Sequence, residues 1–171
     1  APVRPLEGTA TTTGSGVGAI IRGMGRGGSE ADGQVLHLDT GKEFRGGQRQ
    51  VLLLHRELVR RGWRSVVATP ARSELARRCA AEGLPALGLP SRRGWDPRVL
   101  GRVVTAARRS SLVHAHDPHA AGLAVATRRL GAGAAIVCHR RVAFAMKGRG
   151  GRFKYRRVDH WIAVTAEIGG L

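Results

Sequence analysis

From Val35 onward, short apolar runs alternate with longer stretches in which apolar side chains recur every three or four positions. Val35 to Asp39 (VLHLD) reads as a strand and Thr40 to Gly47 as a loop. Gln48 to Arg61 then sets Val51, Leu52, Leu54, Leu58 and Val59 at helical spacing before Gly62 ends the run. The same signals repeat. Ser65 to Thr69 predicts a second strand stopped by Pro70, Ser73 to Ala81 a helix ended near Gly83, and Ala86 to Leu89 a weak third strand. Asp96-Pro97 supplies the cap and first turn of a helix reaching about Arg109. Leu112 to His116 is the fourth strand, Pro118 to Leu130 its helix, Ala135 to His139 the fifth strand and His160 to Val164 the sixth. Such alternation predicts right-handed crossovers. The expected fold class is therefore α/β: one Rossmann-like three-layer domain whose mostly parallel sheet of about six strands is covered on both faces.

Residues 1–34 break this pattern. They are glycine-rich, carry a threonine run and show no sustained apolar period, so they predict a disordered or irregular leader before a domain over residues 35–171. Gly23, Gly25 and Gly28 fit G-x-G-x-x-G, yet a polar SEADGQ segment follows where a dinucleotide fingerprint needs an apolar helix. The leader's charges cancel. The formal charge of +17 thus belongs to the domain, and it favours anionic partners without choosing among nucleic acid, sugar nucleotides and a membrane surface.

Chemistry concentrates where strands end. In an open parallel sheet, helix N-termini with unpaired N–H groups converge at the carboxyl edge, which is where ligands bind. His116 ends the fourth strand there, with Asp117 as helix cap. Gly46-Gly47 follows the first strand, where missing side chains leave backbone N–H groups approachable, or simply make the turn. His139-Arg140-Arg141 closes the fifth strand. No acidic residue occurs between Pro118 and Val158, whereas ten Arg and Lys do, which suits phosphate or carboxylate recognition by arginine or else a solvated basic face. Gly46, His116, His139 and Arg140 are expected to line one concavity.

A metal reading of His114-x-His116-Asp117-x-His119 is open but strained. A metallo-hydrolase pattern H-x-H-x-D-H wants aspartate at the position of Pro118, so no metal is assigned and the histidines also fit a hydrogen-bonded structural role. Cys79 and Cys138 have no CxxC spacing and are expected as free thiols in a reducing cytosol. No apolar run approaches bilayer-crossing length.

Four segments in order, LHLDTGKEFRGGQRQVLLLHREL, SLVHAHDPHAAGLA, VCHRRV and KYRRVDHWIAVTAEI, resemble the N-terminal domain of glycosyltransferase family 4, whose members are GT-B enzymes. The resemblance covers about Val35 to Leu171. It implies transfer of a sugar from a nucleotide-sugar donor to a glycan or lipid-linked acceptor, as in cell-envelope polysaccharide or lipopolysaccharide synthesis, with no cofactor and no metal. It further implies that Gly46 and Gly47 line the cleft near the donor phosphate and acceptor. His116 is then the catalytic histidine against the transferred sugar, with Asp117 completing its segment and His139, Arg140 and Arg141 as acceptor contacts. The C-terminal, donor-gripping domain with its E-x7-E motif has no counterpart here. The chain is accordingly expected to be a fragment, inactive alone. A cytoplasmic location is expected, peripheral to the inner face of an anionic membrane, since Arg72, Arg77 and Arg78 and then Arg92, Arg93, Trp95 and Arg98 flank one another. The alternatives are a basic nucleic-acid-binding module, suggested by charge and the RGG-like Arg149 to Phe153 but short of stacking aromatics, and a zinc hydrolase.

Overall fold

The computed structural model describes residues 33–90, 96–140 and 157–163. The strands are β1 (Val35–Leu38), β2 (Ser65–Pro70), β3 (Ala86–Leu89), β4 (Leu112–Ala115), β5 (Ala135–Arg140) and β6 (His160–Ala163). The helices among these residues are α1 (Gly46–Arg60), α2 (Glu74–Ala81), α3 (Pro97–Arg108) and α4 (Pro118–Arg129). Every strand pairing is parallel, and the order across the sheet is β3-β2-β1-β4-β5-β6. This is the doubly wound order, and its direction reverses between β1 and β4.

Strand alternation sends the two sets of side chains to different layers. Leu36, Leu38, Ala68, Val113, Ala115, Ile136 and Cys138 pack against Val103 and Ala107 of α3 and Ala120, Leu123 and Ala124 of α4. Alanine lets α4 approach the sheet closely, and nearly its whole circumference is buried. On the opposite face, Val67 meets Val51 and Leu52 of α1 and Leu75 and Cys79 of α2, while Val35, Leu112 and Val137 meet Leu58. Each such aliphatic side chain stabilises the fold by about 1.5–3 kcal/mol. Cys79 and Cys138 are not disulfide-bonded and are buried in different layers.

The caps follow the sequence closely. The Ser73 hydroxyl accepts the Ala76 N–H at 3.1 Å, Asp96 accepts that of Arg98 at 2.8 Å, and Asp117 accepts those of His119 and Ala120 at 2.8 and 2.9 Å. Gly62 and Gly131 leave α1 and α4 at φ 80° and 83°, which a side chain resists. The boundaries at the carboxyl edge differ from expectation. β1 stops at Leu38 and β4 at Ala115, because Asp39 and Asp117 turn their carboxylates to loop and helix N–H groups. Gly46 and Gly47 are not loop residues but the first turn of α1. Glycine adopts helical dihedrals readily, and Gln48 Oε1 reaches back to the Arg45 N–H at 3.2 Å to close that turn.

Gln34, grouped with the leader by composition, is held in place. Its carbonyl accepts the Ser111 N–H at 3.0 Å and its amide donates to the Ser110 hydroxyl at 3.0 Å. Residues 1–32, which carry the rest of the expected leader, lie outside the described residues, as do Arg92, Arg93, Trp95, Arg141 and the RGG-like segment.

Candidate functional site

The order reversal places the loop after β1 beside the loop after β4, and Asp117 joins them. One carboxylate oxygen accepts the Thr40 N–H at 2.7 Å, while the other accepts the Thr40 hydroxyl at 2.9 Å and the two N–H groups it caps on α4. One side chain therefore fixes both loops at the switch point. Asp39, fully buried, does the same within the first loop: it accepts the Gly41 N–H at 2.9 Å and the Gln48 amide at 3.0 Å on each oxygen. A Cβ on Gly41 would lie 2.4 Å from the Gln48 amide nitrogen, so a side chain there would displace that amide from Asp39. A Cβ on Gly46 would meet nothing within 4 Å, leaving open space beside the first N–H groups of α1. Arg45, at the cap position, has no acceptor in its side chain.

Beneath these loops lies a layer of histidines. His37 and His114 are register partners on β1 and β4; His116 follows two positions on, and His139 falls beside it on β5. All share the face covered by α1, which contributes His55. The rings of His114 and His116 are 4.0 Å apart, His114 and His139 stack at 5.4 Å, and His37 lies 5.2 Å from His116 and 6.0 Å from His55. His37 Nδ1 and His116 Nε2 are hydrogen-bonded at 3.0 Å, and His55 Nδ1 bonds the Ser65 hydroxyl at 2.7 Å. One nitrogen of each bonded pair of rings carries the proton, so the tautomers of His37 and His116 are coupled. Burial, reinforced by the neighbouring His55, pushes His37 down to about 3. Burial also lowers His55, against the opposing pull of the Pro85 carbonyl and the Glu82 carboxylate. His37 is therefore neutral at physiological pH.

The structure brings together much of the predicted set. His116 and Asp117 follow β4 at the switch point, where Asp117 bonds Thr40; Gly46 and Gly47 open α1 beyond that loop, and His139 stands in the same imidazole layer as His116, partly exposed. Arg140 is the last residue of β5. The sequence reading left out Asp39, Thr40, Gly41, Gln48, His37 and His55. A weak signal existed for one of them: His37 sits between leucines at the alternation that, on β4, gives His114 and His116. A separate groove of about 450 Å³ runs between Leu87 of β3 and Arg98, Arg102 and Thr105 of α3, with Arg109 just past that helix. It holds cations but no acid–base pair, and the histidine layer remains the chemical centre.

The basic residues are less free than the totals suggest. Arg77 and Arg78 both bridge Glu74, Arg60 and Arg61 both bridge Glu57, and Arg78 also lies over the Phe44 ring at 4.2 Å. Arg128 bridges Asp159 and bonds the Arg157 carbonyl, tying α4 to the approach of β6.

A doubly wound, all-parallel sheet covered by helices on both faces is a Rossmann-like α/β domain. The profile of the family described as Glycosyltransferase Family 4 matches residues 44–169, and the chain belongs to that family. No curated protein sequence matches it. Among solved structures it is similar to HepE from Anabaena in complex with UDP-glucose (14% identity, TM-score 0.66, covering 80% of this chain and 38% of that one). It is similar also to MurG from Acinetobacter baumannii (16%, 0.57, 77% and 41%) and to a glycosyltransferase from Rickettsia africae (12%, 0.60, 78% and 37%). The chain thus spans about two fifths of these proteins or less, and shares the fold of that part of GT-B glycosyltransferases.

Proposed function

We propose that this domain forms the acceptor-side half of an enzyme that transfers a sugar from a nucleotide-sugar donor to a glycan or lipid-linked acceptor of the cell envelope, working at the cytoplasmic face of a membrane. The observation that carries the proposal is the switch-point clasp, in which Asp117, the residue after His116, holds Thr40 of the loop that leads from β1 to Gly46 at the start of α1. Gly46 and Gly47 then offer N–H groups at the positive end of α1 to a donor phosphate or acceptor oxygen. His116 donates to or accepts from a hydroxyl of the transferred sugar, and His139, Arg140 and Arg141 meet the acceptor. The transfer itself uses no metal. HepE, crystallised with UDP-glucose, supports a nucleotide-sugar donor.

Glycosyl transfer builds oxocarbenium character on the sugar and negative charge on the departing diphosphate. A contact accelerates the step only where it strengthens as that charge develops. Because the chain spans 38% of HepE, residues 1–171 alone are proposed to bind without turnover, the diphosphate being met by a second domain. The test uses an enzyme carrying both domains. His116→Ala removes a buried ring bonded to His37, so it costs stability as well as rate, and His116→Gln, which keeps a hydrogen-bonding group, is the better companion. Turnover per folded molecule should fall roughly 30- to 1000-fold in the alanine variant. A wild-type rate per folded molecule in both variants would end the assignment of His116.

A further inference from the structure

The buried imidazoles do more than pack. One ring nitrogen from each of His37, His114 and His116 lies within 4.8 Å of the other two, a grouping of metal-ligand atoms found nowhere else among the described residues. Three neutral nitrogens around a tetrahedral ion at about 2.0–2.1 Å would sit about 3.4 Å apart, so modest ring rotations suffice to close the triangle. Two of the three are already at 3.0 Å. His37 is fully buried with Nδ1 turned toward His116 Nε2, so Nδ1 is its ligand atom and Nε2 is left to carry the ring proton. Its two strands are central in the sheet and in register, so the ligand positions are rigid. Imidazole without carboxylate suits zinc and its neighbours rather than magnesium or calcium.

We infer that His37, His114 and His116 form a three-imidazole site for a zinc-class divalent ion, with its fourth position left to water or a small ligand. This set differs from the local His114-His116-Asp117-His119 pattern: Asp117 is committed to Thr40 and the α4 cap, His119 is exposed on the helix, and the third ligand comes from β1, 77 positions before His114 in the register pairing. Each ring binds the ion through one nitrogen and keeps a proton on the nitrogen turned away from it. Since the site takes in His116, an ion there withdraws that ring from any sugar. This last consequence rests on the function proposed above, and makes the site inhibitory rather than catalytic.

Co²⁺ titration of the purified chain reads the site directly through the visible absorption of a tetrahedral ion. Wild type should take up one Co²⁺, displaceable by Zn²⁺. His37→Leu and His114→Leu should each weaken uptake by more than the roughly 10- to 100-fold that an outer-shell partner is worth, and His119→Ala should change nothing. Should the leucine variants fail to fold, ring-nitrogen NMR of the wild type with Zn²⁺ gives the same answer from His37, His114 and His116 resonances. An absent tetrahedral band, a band unchanged in folded leucine variants, or Zn²⁺ shifts at His119 and His160 instead would overturn the site. In the two-domain enzyme, Zn²⁺ bound at these three rings with turnover unaffected would overturn the role of His116 and leave the metal site standing.

Discussion

His37 shows how one residue couples burial to pH. An unfolded chain protonates this imidazole near 6.5, whereas the folded protein resists until about 3. Its contribution is therefore intact above about pH 6.5 and is lost as pH falls toward 3, by about 1.4 kcal/mol per unit, and His55 adds in the same direction. Urea midpoints measured with chelator present should fall between about pH 7.5 and about pH 5; a flat profile would show that His37 is not held neutral. A second residue-level outcome concerns Gly41. Gly41→Ala should displace the Gln48 amide from Asp39 and cost about 1–2 kcal/mol, since a buried carboxylate loses its donor. An unchanged melting temperature would mean that Gln48 finds another route to Asp39. Neither residue was conspicuous in the sequence. A lone histidine between leucines looks like core filling, and only the β1–β4 register reveals that it faces His114.

Elements were more legible than the links between them. Asp96-Pro97 and Asp117-Pro118 announced two helix starts because the carboxylate and the locked proline φ act within a few residues. Helix α1 was placed with less accuracy, since glycine at its first two positions carries no directional signal and Arg45 cannot cap it. Strand existence followed from apolar runs, but strand order did not: periodicity reports which residues are buried and says little about which strand lies beside which. Asp117 matters most at this scale because it serves α4 and the β1 loop together. Asp117→Ala should lower stability by about 2 kcal/mol, the cost of a lost cap and the freed Thr40 groups. Thr40→Val, which removes only the hydroxyl, should cost less than half as much. Equal losses would place the whole effect in the loop and none in the cap.

For the whole molecule, charge decides encounters. Ion pairs on α1 and α2 absorb several arginines at the surface, where water and salt weaken each pair. With +17 overall, the chain should still cosediment with vesicles containing anionic lipid at low salt and be released near about 0.5 M salt. Equal sedimentation with neutral vesicles would remove the electrostatic account. No described helix is long and apolar enough to cross a membrane.

The clasp between Thr40 and Asp117 also has a kinetic meaning. Its partners lie 77 positions apart, and the β1–β4 pairing beneath it joins equally distant parts of the chain. Bringing such ends together costs about 4 kcal/mol of chain entropy before any contact repays it. The β1–β2–β3 and β4–β5–β6 halves can each form from nearer neighbours, so the seam between them is expected to close after them during folding. The two loops of the proposed site are thus expected to be among the last parts of the chain to find one another during its assembly.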